Sequence, residues 1–294
     1  MSESRASLLL SAIRPRTLPA SLVPVVVGSA VAGHGGAFDP AIAGLAILAA
    51  VLLQIGTNLI NDYGDHVRGA DGDDRIGPSR ASQSGEVDPK QVALLGGTAL
   101  LGAALVGVLL IAHGGWPIVW IGVGSLLAAV AYTAGPFPLA YHGLGEVFVF
   151  AFFGPVAVLG TQYLQAGEIS AGGVAASVAI GALAAAILLV NNVRDVEGDT
   201  RAGKRTIVVR LGRRAGRALY VLALALGFGA PLVGWLAGWL PAGALVAWLS
   251  LPLGISPLRT VLTTTEGPPL NEALANTAKL ELAFGIAFAV GMLL

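Results

Sequence analysis

The sequence contains no cysteine, only two methionines and few charges: Lys, Arg, Asp and Glu together make up 12% of its 294 residues. Without cysteine there is no disulfide framework, no thiolate metal site and no thiol nucleophile. The four histidines, His34, His66, His113 and His142, are dispersed and point to no histidine-based metal site. An excess of one charge is missing too, since 17 basic residues balance 17 acidic ones. That balance argues against a nucleic-acid partner, which needs a basic face. The charged fraction is about half the ~25% of soluble domains. Apolar residues take its place: the set AVILMFWYC reaches 55%, with 41 glycines besides, and mean hydropathy is +0.78. A soluble domain of this length cannot hide so much apolar surface. The chain therefore reads as an all-α, polytopic membrane protein, a single membrane domain over 1–294. The apolar run from Leu8 to Ile13 is short and meets Arg14 and Arg16, which is unlike a signal peptide, so the N-terminus is expected to be retained.

A membrane helix needs about 20 mostly apolar residues. Nine spans are expected, near 18–36, 41–60, 92–113, 116–134, 145–166, 172–193, 218–238, 241–257 and 278–294. None is amphipathic enough to suggest an interfacial helix. Small residues such as Gly96, Gly97, Gly102 and Gly107 fill them, and such residues let helices pack closely in lipid. The connections after the first, third, fifth and seventh spans are short and contain no Lys or Arg. All 17 basic residues fall on the opposite set of connections. The positive-inside rule places that side, with the N-terminus and the long loops, in the cytoplasm, and the expected location is the cell (inner or plasma) membrane.

Polar residues concentrate in two segments of that side. Each begins with Asn-x-x-x-Asp at the end of an apolar helix: Asn58 with Asp62, and Asn191 with Asp195. Residues four apart share a helical face. Asp65 extends the first face and Asp199 the second, while Asp71 follows in the first loop. The recurrence suggests a weak internal duplication. Carboxylates crowded this closely repel unless cations sit among them. Oxygen-rich clusters without His or Cys suit Mg²⁺, held by a few carboxylates plus substrate phosphate oxygens. Basic residues lie nearby, among them Arg68, Arg75, Arg80, Arg194, Lys204, Arg205 and Arg210, and this mixture fits a metal–diphosphate complex. Taken singly, each of these charges reads more readily as a solvated loop residue; the matched pair of clusters favours function.

The two segments read NDYGDHVRGAD from Asn61 to Asp71 and DVEGD from Asp195 to Asp199. They resemble the two Asp-rich motifs of the UbiA-type intramembrane aromatic prenyltransferases. Gly69 stands where the broad pattern has its last Asp, and the acid returns at Asp71, a form similar to the menaquinone branch that acts on 1,4-dihydroxy-2-naphthoate. RPRTLP at 14–19, DRIGPSR at 74–80, YTAGPFPLAYHGLGE at 132–146, FFGPVAVLGTQYLQA at 152–166, NNVRD and KRTIVVRLG resemble the same branch, so the likeness spans nearly the whole chain.

The resemblance implies transfer of a polyprenyl group from its diphosphate to an aromatic acid, with loss of the ring carboxylate as CO₂. It implies two Mg²⁺ ions bridged by the diphosphate, with Asn58, Asn61, Asp62, Asp65 and Asp71 on one side and Asn191, Asp195 and Asp199 on the other. Asp62, Asp65, Asp195 and Asp199 would then be catalytic, and Arg68, Lys204 and Arg210 would meet the diphosphate. Tyr132 is either a ring that shields the allylic cation or an interfacial anchor. Arg14 and Arg16 either meet the acceptor carboxylate or serve topology alone. Glu146 is either an acceptor-side base or a solvated helix N-terminal acid, and the second reading is favoured. The bilayer is the remaining partner, and a homo-oligomer stays open. A 4-hydroxybenzoate acceptor is the runner-up within this class. A cation-coupled transporter, the reading from another class, would place its ionisable groups near the bilayer midplane, whereas here they cluster at one surface.

Overall fold

A computed structural model describes residues 5–69, 81–83 and 86–294, and for Arg5, Ala6 and Arg16 the description is confined to the backbone. Among the described residues every regular element is helical. A short α1 (Arg5–Ile13) precedes α2 (Leu18–His34), α3 (Pro40–Val67), α4 (Pro89–Gly114) and α5 (Trp116–Ala131). Then follow α6 (Gly145–Ala166), α7 (Ala171–Arg194), the small α8 (Val196–Arg201), α9 (Ile207–Leu236), α10 (Ala242–Thr263) and α11 (Gly267–Met292). Leaving aside α1 and α8, these are the nine apolar segments expected from the sequence. At 16 residues, α5 is the shortest of them.

The starts of these helices are written into the chain. Asp39 and Asp88 each stand before a proline and cap the amides that follow, Asp39 at Ala41 N (2.7 Å) and Asp88 at Lys90 N (2.9 Å). Ser170 and Thr206 do the same for α7 and α9, at Gly173 N (3.0 Å) and Val209 N (3.2 Å). A side-chain oxygen at this position satisfies an amide that the helix leaves unpaired, and proline fits the first turn because it has no amide to lose. Four boundaries differ clearly from the sequence reading. α3 runs on to Val67 rather than 60, α9 begins at Ile207 rather than 218, α10 runs on to Thr263, and α11 begins at Gly267 rather than 278. Each extension is helix continuing past the hydrocarbon with polar residues, which a hydropathy criterion does not count. α9 accommodates its polar turn through a break at Gly212, where φ is 83°.

α7 is the central helix, buried along most of its length by α2, α6, α9 and α11. α3, α4 and α5 form a second group joined to the first through α2. Large apolar side chains such as Leu101, Leu105, Trp120, Leu127, Leu226 and Val233 stay exposed on the outer faces. Such a surface suits lipid. Successive helices run in opposite directions. The last turns of α3, α5 and α7 and the first turns of α6, α9 and α11 consequently gather at one end of the bundle. His34 against the Met292 carbonyl (2.9 Å) and Gln165 against Asp39 close the other end.

The middle of α6, Phe152–Leu159, is wound as a π-helix and contains Pro155. Proline removes a backbone donor, which helps to open the turn. This stretch lies directly on α7: a Cβ on Gly181 would stand 2.5 Å from the Phe150 carbonyl oxygen and 3.1 Å from Gly154 Cα. Gly154 is likewise pressed against the Ser177 carbonyl oxygen. Backbone meets backbone here, so no flexible side chain can yield. Gly154→Ala and Gly181→Ala are each expected to destabilise the bundle by about 1–3 kcal/mol, seen as a lower melting temperature in detergent. Gly97→Ala, with open space around it, should melt like the parent.

Candidate active site

A cavity of about 2120 Å³ runs between α3, α4, α5, α6 and α7. Its mouth is polar, lined by Asn58, Asn61, Asp62, Asp65, Asn191, Asp195, Asp199 and Lys204. Its depths are apolar, with Ala46 and Leu53 of α3, Gly107 of α4, Ile118 of α5 and Val156 of α6 along the walls. The two acidic segments predicted from the sequence therefore meet at one opening.

On α3 the spacing puts Asn58, Asn61, Asp62 and Asp65 on one face, and all four are buried. Each is held by a different part of the chain. Asn58 donates to the Ile13 carbonyl (2.8 Å) and to Thr17 Oγ1 (3.2 Å), tying the N-terminal segment to the site. Its Oδ1 accepts from Gln54 Nε2 at 3.4 Å. Asn61 Oδ1 accepts from Thr133 Oγ1 (2.6 Å), and Asp62 Oδ1 accepts from the Ser82 amide (3.0 Å). Asp65 Oδ1 accepts from the Tyr141 hydroxyl (2.8 Å) and faces Lys204 Nζ at 3.2 Å.

On α7 the arrangement turns on Arg194. Its guanidinium pairs with both Asp195 oxygens (2.6 and 2.5 Å) and donates to Asn191 Oδ1 (2.7 Å) and Asn271 Oδ1 (2.6 Å) of α11. A buried planar fork satisfies four oxygens at once. Asp199 sits 4.0 Å from Lys204, which thus stands between the two acidic segments. Burial pushes the Asp199 carboxyl up to about 6; Lys204 opposes the shift, while the charges of Asp195 and Asp65 add to it. The lysine does not offset the burial of the carboxyl.

Other expected residues are placed as follows. Tyr132 lines the cavity at the end of α5. Arg14 lines it too, with φ of 56° and ψ of 65°, a conformation uncommon for a non-glycine residue. The Arg14 carbonyl is held there by the Thr17 amide and hydroxyl, both at 2.9 Å. Arg68 and Arg210 do not reach into the cavity. Arg68 donates to the Thr133 carbonyl (3.1 Å) and the Gly135 carbonyl, and exposed Arg210 donates to the Arg205 carbonyl (3.0 Å). Both brace loops of the mouth. Asp71, Arg75, Arg80 and the side chain of Arg16 lie outside the described residues.

Glu146 differs from the sequence reading, for it is buried, at 8% exposure, and its Oε1 accepts from Asn192 Nδ2 (2.8 Å). A helix N-terminal acid is solvated only if the helix starts in water, and α6 starts inside the protein. Sequence reasoning also passed over Tyr141, Thr133 and Asn271. Their partners lie 76, 72 and 77 positions away, beyond the reach of any spacing rule.

The donor set fits a hard divalent cation. Carboxylate and amide side chains line the opening, and those of Asn191 and Asp195, paired with Arg194, would have to turn from it to reach a cation. Among the described residues no three His, Cys, Asp or Glu side chains converge on one point. Mg²⁺ accordingly suits the site only with substrate oxygens completing its shell, which is its usual habit.

A family model described as the UbiA prenyltransferase family matches residues 21–280. The chain is 37% identical to a 1,4-dihydroxy-2-naphthoate octaprenyltransferase of Escherichia coli (strain K12), the match covering 99% of this chain and 96% of that one. It is 40% identical to the protein of the same description in Mycobacterium tuberculosis, over 95% and 94% of the two chains. In fold it is similar to a UbiA homolog from Archaeoglobus fulgidus solved with DMAPP and Mg²⁺, with a TM-score of 0.63 at 17% identity over 97% and 99% of the chains. A UbiA homolog from Aeropyrum pernix superposes with a TM-score of 0.66 at 20% identity, over 95% and 98%. With the motifs, the nine apolar helices and the acidic mouth in agreement, the chain belongs to the UbiA prenyltransferase family.

Proposed function

We propose that this protein transfers a polyprenyl group from its diphosphate to 1,4-dihydroxy-2-naphthoate, with loss of the ring carboxylate, as a step of menaquinone synthesis. The observation that carries the proposal is one continuous cavity, acidic and cationic at its mouth and apolar in its depth. Such a shape suits a substrate with a charged head and a long hydrocarbon tail. The likeness to naphthoate prenyltransferases over almost the whole chain supports the acceptor. The distribution of all 17 basic residues supports a multi-pass protein of the cell's inner or plasma membrane with the mouth in the cytoplasm.

In this reading Asn58, Asn61, Asp62 and Asp65, with Asp71, would hold one metal ion, and Asn191, Asp195 and Asp199 would hold a second. Magnesium, when bound, supplies Lewis-acid charge that stabilises the departing diphosphate. Lys204 donates to a diphosphate oxygen, countering the negative charge that grows as the allylic C1–O bond breaks. Tyr132 turns its ring to the positive charge developing at C1. Arg14 binds the acceptor carboxylate and so orients the ring. The ring carbon that bears the carboxylate forms the new bond to C1. The electron pair of the bond to the carboxylate returns to the ring as CO₂ leaves, so the aromatic system is restored without an added base. The apolar walls keep water from the cation.

Purified protein given a polyprenyl diphosphate and a panel of aromatic acids should release CO₂ and the prenylated naphthalenediol from the naphthoate alone, read by mass spectrometry. Preference for 4-hydroxybenzoate would move the protein to another branch, and no diphosphate release with any acid would remove it from this class. Asp62→Asn and Asp195→Asn should each lower turnover by at least about 10²-fold in protein that still inserts and folds. Appreciable turnover in either variant would sink the roles given to the acids. Excess EDTA should abolish activity and added Mg²⁺ restore it.

A further inference from the structure

The turn Leu139–His142 lies between the two acidic segments in sequence, and none of its residues is a predicted ligand. Its Tyr141 nevertheless touches the first and the loop that follows the second. The hydroxyl donates to Asp65 Oδ1 at 2.8 Å, on the first segment. The Tyr141 carbonyl accepts from the Arg205 amide at 2.9 Å, in the loop after Asp199. The ring takes one cation from each side, with Lys204 Nζ 4.9 Å and Arg68 Cζ 5.5 Å from its centre. The residue is buried, at 9% exposure. Lys204 closes the circuit by pairing with the same Asp65 oxygen at 3.2 Å.

We propose that Tyr141 is the positioning residue that sets the two acidic segments in register. Two properties follow from its contacts. Because the Tyr141 hydroxyl and Lys204 fall on a single oxygen, they bias the rotation of the Asp65 carboxylate, turning Oδ1 towards them. Because the ring face attracts cations, it holds the Lys204 ammonium over the mouth instead of letting it wander on its four-carbon stem. An aliphatic residue at 141 would fill the space without doing either. The inference rests on the site described under the proposed function, but it concerns assembly of that site and needs no aromatic acceptor to be tested.

The test is titration of purified, detergent-solubilised protein with Mn²⁺ and inorganic diphosphate, with bound Mn²⁺ read by electron paramagnetic resonance. Tyr141→Phe keeps the ring and loses the hydroxyl bond to a charged partner, which should weaken Mn²⁺–diphosphate binding by about tenfold. Tyr141→Leu, which also loses the cationic face, should bind more weakly still. In turnover, Tyr141→Phe should raise KM for the polyprenyl diphosphate by about tenfold and change kcat less. In an Asp65→Asn background the same substitution should add less than about twofold, because the two groups act as one. Arg68→Gln strips one cation from the ring, leaves the hydroxyl in place, and should cost about two- to threefold. It keeps the test decisive should Tyr141→Phe not fold. A residue of merely structural importance would lower the melting temperature and leave Mn²⁺–diphosphate affinity of the folded fraction unchanged. Affinity within the error of wild type in the variants that fold would overturn the proposal. Failure of the wild-type protein to bind Mn²⁺ and diphosphate would overturn the functional reading and this inference with it.

Discussion

Mutual repulsion of carboxylates at the edge of an apolar bundle is the constraint on which the rest of the site depends. Asp62, Asp65, Asp195 and Asp199 stand where water is scarce and the effective dielectric low, so each charge costs more to keep than it would in solution. The protein answers with a cation on each side. Arg194 neutralises Asp195 and straps α7 to α11 through Asn271. Lys204 stands between Asp65 and Asp199. Burial still holds the Asp199 carboxyl above its usual range despite the lysine. A site in this condition attracts divalent cations, and the bound diphosphate of the proposed donor would in turn need those cations.

The helices carrying these acids differ in how they are held. α7 is enclosed by its neighbours, with Gly181 against Gly154 at van der Waals contact or closer for any added atom. α3 has a lipid-facing side, and its acidic end is instead tethered residue by residue. The tethers come from the N-terminal segment at Asn58, the returning loop at Asp62, and the segment after α5 at Asn61 and Asp65. One helix is fixed by packing and the other by hydrogen bonds, which places the more adjustable half of the site on the side of α3.

Much of this was legible in the sequence. Nine apolar segments and a clean division of basic residues follow from the cost of charge in hydrocarbon, a strong and local rule. The acidic faces followed from helical spacing. Direction was less legible than sign: Arg68 and Arg210 are basic and near the mouth, yet both spend their guanidinium groups on backbone carbonyls. Glu146 was misread because its exposure depends on what packs over the start of α6. Tyr141 and Thr133 escaped notice because neither is charged and their partners come from another part of the chain. The onset of α9 at Ile207 was hidden for a different reason, since the break at Gly212 and four arginines from Arg210 to Arg217 cut its apolar first turn off from the rest of the span.

The continuity of the cavity, from acids at one surface to alkyl walls in the interior, has a kinetic consequence. Drawing a polyprenyl tail into water would cost about 0.8 kcal/mol for every methylene exposed, so a donor with many isoprene units never samples the aqueous phase. It reaches the enzyme by lateral diffusion, and the quantity that governs its capture is the number of donor molecules per unit area of bilayer. The acceptor, small and anionic, arrives from the other phase at an ordinary molar concentration. The enzyme thus works at a boundary between a two-dimensional and a three-dimensional reservoir. Its rate would respond to how thinly the donor is spread among other lipids as much as to how much donor the cell contains.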